Sequence, residues 1–169
     1  MELRGRQVTL RPTSLADAPA LATILAEPDV ARWWGTFDLD RVVAELIGGD
    51  PEESPFVIEH DGEIVGYIQA VEEDEPDFRQ AGIDLFLRTD AQGRGLGPDA
   101  IRTLAIELID ARGHHRLTID PVADNVRAIA AYAKLGFRPV GVMRQYQRMT
   151  DGRWADALLM DLLADELVR

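Results

Sequence analysis

The stretch from residue 82 to residue 97, Gly-Ile-Asp-Leu-Phe-Leu-Arg-Thr-Asp-Ala-Gln-Gly-Arg-Gly-Leu-Gly, constrains the fold most. Its first half alternates. Ile83, Leu85 and Leu87 fall on one face of a strand, and Asp84, Phe86 and Arg88 on the other. Its second half reads Gln92-x-x-Gly95-x-Gly97, followed by Pro98 and an apolar helical pattern. A strand that passes through glycines into a helix leaves several backbone N–H groups pointing outward, and the helix start adds about half a positive charge. That combination cradles a phosphate. The spacing matches neither the nucleoside-triphosphate loop, which ends in Gly-Lys-Ser/Thr, nor the dinucleotide fingerprint with its third glycine. Taken alone, the stretch also suits a plain glycine turn ahead of a helix.

The flanking pattern supplies the remaining elements. Residues 7–11 alternate as a strand closed by Pro12. Ser14 reads as an N-cap with Asp17 as its partner, and Leu15, Ala18, Leu21, Ala22 and Leu25 form an apolar stripe behind it. After Pro28 comes a short helix or turn over residues 29–34, then a helix capped by Asp38 or Asp40, with Leu39, Val42, Val43, Leu46 and Ile47 inward and Gly48-Gly49 at its end. Residues 56–59 and 64–71 read as a hairpin turning at Asp61-Gly62. The acidic run 72–77 reads as a solvated loop, placed to form an anionic rim as well. Ile101, Leu104, Ala105, Leu108 and Ile109 make one helix face, closed by Gly113. Leu117-Thr118-Ile119 is then a strand parallel to the central one by βαβ logic. A cap-rich loop 120–125, a helix 128–135, and strands 137–147 and 154–163 around Asp151-Gly152 complete the chain. No repeat or linker interrupts this, so one domain over residues 1–169 is expected.

Charge narrows the partners. A net charge of −12 repels nucleic acid and suits a cationic substrate, although acidity also serves solubility alone. No apolar run reaches the roughly 18 residues of a membrane span, and no signal-peptide pattern opens the chain, so no membrane partner and a cytoplasmic location are expected. The absence of cysteine removes zinc–thiolate sites and cysteine nucleophiles; no metal site is expected. The presence of only Ser14 and Ser54, with no Gly-x-Ser-x-Gly, argues against a serine hydrolase. His114 and His115 open a strand and read as structural.

Downstream of the glycine loop stands Asn125-x-x-Ala128-x-x-x-Tyr132-x-x-x-Gly136-Phe137. With Gln92-x-x-Gly95-x-Gly97 it resembles the two acetyl-CoA motifs of GCN5-related N-acetyltransferases (GNAT). Within that superfamily the chain is most similar to the aminoglycoside 6′-N-acetyltransferases. Gly82-Ile83-Asp84, Asp120-Pro121 ahead of Asn125, Trp33-Trp34-Gly35 and the Gly-Tyr-Ile-Gln of residues 66–69 carry that likeness. It departs at Pro98 and Asp99, where the group often has a small hydroxyl residue and lysine; this weakens a phosphate contact that Arg94 remains able to supply. The acceptor region before the hairpin matches only in patches.

The resemblance implies an α/β (α+β) GNAT fold: a central, mixed but mostly antiparallel sheet of about six to seven strands, with a splayed parallel pair and helices on both faces. It implies acetyl-CoA as co-substrate, held by Phe86, Leu87, Gln92, Gly93, Arg94, Gly95, Leu96, Gly97, Asn125 and Tyr132. It implies N-acetylation of an aminoglycoside amine, with a monomer or homodimer as the active species. Asp84 would be the base or the amine's electrostatic anchor, and Tyr132 the acid at the leaving sulfur. Backbone N–H groups of a bulged central strand would polarise the carbonyl. Trp33, Trp34, Asp84 and Asp120 would contact the acceptor. Each has a plainer role: Tyr132 as a core tyrosine, Asp120 as a turn cap before proline, the two tryptophans as packing. The alternatives at the level of function are another small amine, a siderophore, a protein N-terminus, or a silent acyl-CoA-binding module.

Overall fold

Eight strands share one sheet in the computed structural model, which describes residues 1–50 and 52–169. They are β1 (Leu3–Arg4), β2 (Thr9–Pro12), β3 (Glu53–His60), β4 (Glu63–Glu73), β5 (Gln80–Leu87), β6 (Arg116–Ile119), β7 (Arg138–Arg148) and β8 (Trp154–Leu163). Their order is β1-β2-β3-β4-β5-β6-β8-β7, and only β5 and β6 run parallel. The strand beyond the expected six to seven is β1, whose two residues pair with Thr9 and Leu10 and are too few to show a period. Thr9–Pro12 lies one to two residues beyond the expected span, and Pro12 is its last member.

The two faces of the sheet are covered separately. On one lie α4 (Leu96–Ile106, continuing as a π-turn through Ala111) and α5 (Val126–Lys134). There Ile83, Ile101, Leu104, Ala105, Leu108, Leu117 and Ile119 form one buried cluster. On the other lie α1 (Ala18–Leu25), α2 (Pro28–Trp34) and α3 (Leu39–Val42, continuing as a π-turn through Ile47), where Leu21, Leu25, Val42 and Leu46 pack on Val57, Tyr67 and Phe86. The period-2 pattern of β5 thus feeds both cores, as its alternation requires.

Two stripe residues fail. Leu15 is exposed because residues 15–17 form a 3-10 turn whose side chains do not share the period of α1. Leu39 is exposed at the first position of α3. Ser14 and Asp17 do pair: the Asp17 carboxylate accepts from Ser14 N at 2.7 Å and from its Oγ at 2.9 Å, and Arg11 adds an ion pair at 2.8 Å. Asp38 caps α3 by accepting from Arg41 N at 2.8 Å.

The acidic run is also rearranged. Glu72 and Glu73 continue β4. The Glu72 carboxylate is bound by Arg112 and by His114 Nε2, the latter at 2.7 Å. Burial acts upward on the Glu72 carboxyl, but those two partners outweigh it and hold it below the usual range. No helix of the described residues is long and apolar enough to cross a membrane.

Candidate active site

The parallel pair is brief. Ala81 pairs with Leu117 and Gly82 with Thr118, and beyond these β5 and β6 part. The gap between them becomes a cleft of about 680 Å³, with Asp84, Asp120, Tyr132 and Tyr146 among its lining. No register shift interrupts the β4–β5 pairing from Gly66–Leu87 to Glu73–Gln80. The expected bulge of the central strand is therefore absent; divergence from β6 is what frees its backbone. One freed group, the Leu85 carbonyl, accepts from Trp34 Nε1 at 3.1 Å.

Trp33 and Trp34 both line the cleft but differ in role. Trp34 is a packing residue, edge-on to Phe86 at 5.0 Å and to Tyr67 at 6.4 Å. Trp33 lies under the Arg32 guanidinium at 4.5 Å, and its carbonyl accepts from Gln147 Nε2 at 2.6 Å. That bond ties α2 to β7 across the cleft.

Asp84 sits half-buried on the same face as Gln69, its partner on β4. The Tyr67 hydroxyl donates to Gln69 Oε1 at 2.6 Å, which turns the Gln69 amide N–H toward Asp84. Burial pushes the Asp84 carboxyl up to about 6, the charge of Asp120 adds to this, and the Gln69 hydrogen bond opposes it. Asp120 is also raised by burial, an effect that the Tyr146 hydroxyl opposes. Tyr132 is shifted upward by burial first and by both carboxylates second, so it keeps its proton at neutral pH. Among the described residues neither Asp84 nor Asp120 has a cationic partner within ion-pair distance.

The glycine loop lies at the end of β5. A 3-10 turn, Thr89–Ala91, leads to Gln92, whose Nε2 donates to the Leu87 carbonyl at 3.1 Å. Gly93 and Gly95 adopt φ of +73° and +81°, conformations that L-residues resist. Gly95 is the N-cap of α4, so the free N–H groups of its first turn begin here. At Gly97 closeness matters: a Cβ there would lie 3.3 Å from Leu87 Cδ1. Leu96 is buried in the core and offers the loop only its backbone. The Arg94 side chain is exposed, 3.3 Å from His60 Nε2. A Cβ on Gly93 would meet Arg127 Nη2 at 2.6 Å, which brings a second guanidinium over the loop. Neither Arg94 nor Arg127 is within ion-pair distance of a described carboxylate, so the cradle fits a diphosphate. Asn125 caps α5, its Oδ1 accepting from Ala128 N at 3.3 Å, and also lines the cleft.

Asp99 is not at the cradle. It is buried, its Oδ2 accepts from Gln7 N at 2.7 Å and Val8 N at 3.2 Å, and it anchors the chain entering β2. The acidic run 72–77 does not line the cleft either, because it lies at the start of β5, away from the glycine loop. His114 is buried on Glu72 and His115 exposed, both remote from the cleft.

Sequence reasoning missed Arg127, Tyr146 and the part played by Gln69. Gln69 becomes legible once the hairpin register sets it opposite Asp84. Arg127 stands two residues after Asn125, on the first turn of a helix that faces the loop. Nothing in the sequence marks Tyr146, which reaches the cleft through a strand irregularity.

Comparison with known proteins agrees with this geometry. Residues 19–137 match the model of the Acetyltransferase (GNAT) family. Aminoglycoside N(6′)-acetyltransferase type 1 of Klebsiella pneumoniae is 28% identical over 155 residues, covering 80% of this chain and 76% of that protein. Spermidine N(1)-acetyltransferase of Escherichia coli strain K12 is 26% identical over 161 residues, covering 92% and 86%. The structure of Mycobacterium smegmatis RimJ in complex with CoA-disulfide superposes with a TM-score of 0.82 at 28% identity, covering 100% and 88%. That family model spans well over half of the chain, and the chain belongs to the GNAT acetyltransferase family, with acetyl-CoA as its acetyl donor.

Proposed function

We propose that the chain N-acetylates a polycationic small molecule, an aminoglycoside at its 6′-amine. The observation that carries this is the pair Asp84 and Asp120, two half-buried carboxylates in one cleft with no cationic partner among the described residues. Buried charges are costly unless paired, so such a pair calls for cations from outside. Aromatic walls at Trp33, Tyr146 and Trp154 suit the flat faces of sugar rings bearing ammonium groups. The similarity to an aminoglycoside N(6′)-acetyltransferase points the same way.

Bound acetyl-CoA supplies an acetyl group activated as a thioester. The N–H groups at Gly93 to Gly97, with Arg94 and Arg127, hold its diphosphate. Asp84 accepts a proton from the amine at a carboxylate oxygen, and a carboxyl raised to about 6 is a better base near neutrality than an ordinary aspartate. Tyr132 keeps its hydroxyl proton and is the donor for the leaving sulfur. Asp120 binds a neighbouring ammonium.

A protein N-terminus is the second reading. One observation favours it: β7 is the last strand of the sheet, so its free edge runs beside Tyr146, Gln147 and Arg148, where an extended peptide can add. CoA release measured with kanamycin, spermidine and an alanyl-terminated peptide separates the readings. The highest kcat/KM is expected for kanamycin; preference for the peptide overturns the aminoglycoside assignment. Tyr132→Phe is expected to lower kcat more than it raises acceptor KM, and an effect confined to KM would reduce Tyr132 to a wall of the cleft.

A further inference from the structure

Tyr146 reaches the cleft by an irregularity of the sheet. Met143 pairs with Ala157 and Gln147 with Ala155, so Arg144, Gln145 and Tyr146 together stand opposite Asp156. Gln145 takes a left-handed conformation, φ +51°, unusual for a residue with a Cβ. Such a conformation costs on the order of 1 kcal/mol and persists only where its surroundings fix it. Here Asp156 fixes it: Oδ1 accepts from Gln145 N at 2.8 Å.

The same stretch of β8 holds the loop that carries Asp120. The Asp156 carbonyl accepts from Ala123 N at 2.8 Å, and Leu158 N donates to the Pro121 carbonyl at 2.9 Å. Val122 bridges to Ala157. Residues 156–158 are therefore a common frame for the Asp120 loop and the Tyr146 bulge, and both side chains stand in the wall of the same cleft. A regular β7 would carry two fewer residues across this span and would not deliver Tyr146 here.

We propose that Tyr146 is the positioning residue of the acceptor subsite: its hydroxyl fixes the Asp120 carboxylate as the anionic anchor for one ammonium, leaving Asp84 to the reacting amine. This rests on the reading of the cleft as the acceptor site. Asp120 is faced by Tyr146 from β7, by Tyr132 from α5 and by Asp84 from β5; Asp84 is faced in addition by Gln69 from β4 and Glu53 from β3. The cleft wall also bears Arg148. Removal of the hydroxyl takes one donor from Asp120 and leaves every other group in place.

The test compares wild type, Tyr146→Phe and Asp156→Ala, with retained thermal stabilisation by acetyl-CoA as the check that each variant folds. In the free protein, NMR titration of the carboxyl carbons is expected to show the Asp120 midpoint moving to higher pH in Tyr146→Phe and, through collapse of the bulge, in Asp156→Ala. With kanamycin as acceptor, KM is expected to rise about tenfold, the scale of a hydrogen bond to a charged group, with acetyl-CoA KM unchanged. The acid limb of kcat/KM is expected to move to higher pH. An Asp120 midpoint unmoved in Tyr146→Phe overturns the proposal, whatever the activity. A moved midpoint in a protein that acetylates no aminoglycoside supports the Tyr146–Asp120 relation and overturns the aminoglycoside reading instead.

Discussion

Asp84 and Asp120 lie at the same level of the sheet, each two residues past the last pair that β5 and β6 make with each other, Gly82 and Thr118. Parallel register makes them neighbours, and divergence of β5 from β6 opens the space in front of them. One topological fact thus produces both the cleft and its charge. It also follows the general rule that open sheets bind ligands beyond the carboxyl ends of parallel strands. The two carboxyls then differ by their partners. Asp84 is raised by burial and by its neighbour, while Asp120 is held back by Tyr146.

Asp84 is expected to cost the apo protein stability at neutral pH. Its carboxyl titrates at the ordinary 3.8 when unfolded and at about 6 when folded. The native state therefore holds the proton more tightly, and stability falls as pH rises between these values. The cost is absent below about pH 4 and complete above about pH 6, where it amounts to roughly 2–3 kcal/mol. Asp84→Asn should raise Tm at pH 7.5 and leave it nearly unchanged at pH 4, by calorimetry. Turnover should fall roughly 10²-fold, the usual scale for an acid–base group. Equal Tm shifts at both pH values would show that the charge of Asp84 is not the cause.

Acetyl-CoA is expected to raise Tm by the linkage of any native-state ligand. Gly95→Asp should abolish that rise, because a side chain at φ +81° is strained and its carboxylate would face the diphosphate. Arg127→Ala, an exposed change on α5, should leave the apo Tm unaltered and raise the Kd of acetyl-CoA by about tenfold, as loss of a charge-assisted phosphate contact does. Isothermal titration of both variants checks this. Full stabilisation of Gly95→Asp would move the cradle elsewhere.

Most of this was legible before the structure, for a physical reason. The central strand, the glycine loop and the helix after it each obey a local rule: period 2, positive φ at glycine, period 3.6. So do the hairpin at Asp61-Gly62 and the return at Asp151-Gly152. What failed depended on long-range geometry. Asp99 reads as a change in a phosphate loop, yet its carboxylate serves Gln7 and Val8, more than ninety residues away in sequence. The acidic run reads as a rim, yet Glu72 is claimed by Arg112 and His114. The opening of the central strand reads as a bulge, yet it comes from the short pairing with β6. Tyr146 is set by a bulge whose cause, Asp156, lies on another strand.

Asp99 is accordingly expected to matter for folding and not for the cofactor. Asp99→Ala leaves the N–H groups of Gln7 and Val8 without their acceptor and removes an ion-pair partner of Arg102 at 3.4 Å. A buried donor without a partner costs about 1–3 kcal/mol, and the Val8 N–H is buried while that of Gln7 is partly so, so urea unfolding should show a loss on the order of 1–3 kcal/mol. Amide exchange should quicken first in residues 3–12, which hold β1 and β2. The Kd of acetyl-CoA for the folded fraction should stay at the wild-type value. A raised Kd with unchanged stability would return Asp99 to the phosphate site.

Capture of the acceptor is expected to be salt-sensitive and to require an amine opposite Asp84. An aminoglycoside brings several ammonium groups, and the cleft offers Asp84 and Asp120, with a net charge of −12 behind them. Exposed ion pairs contribute roughly 0–1 kcal/mol each and are screened within about 10 Å at 0.1 M salt. Pairs in a half-enclosed cleft contribute more, but the approach to it still crosses water and is screened. Hence kcat/KM for kanamycin or tobramycin should fall as salt rises. Acetyl-CoA is an anion that, on the proposed reading, meets the protein at a different surface, formed by Arg94, Arg127 and backbone N–H groups; its KM should change less. A compound bearing a hydroxyl at the 6′ position should resist acetylation, since Asp84 would then face no amine. Mass spectrometry and NMR of the product fix the position. Acetylation at the 3- or 2′-amine, or efficient acetylation of the 6′-hydroxyl compound at another nitrogen, would overturn the 6′ assignment while leaving the acetyltransferase itself in place.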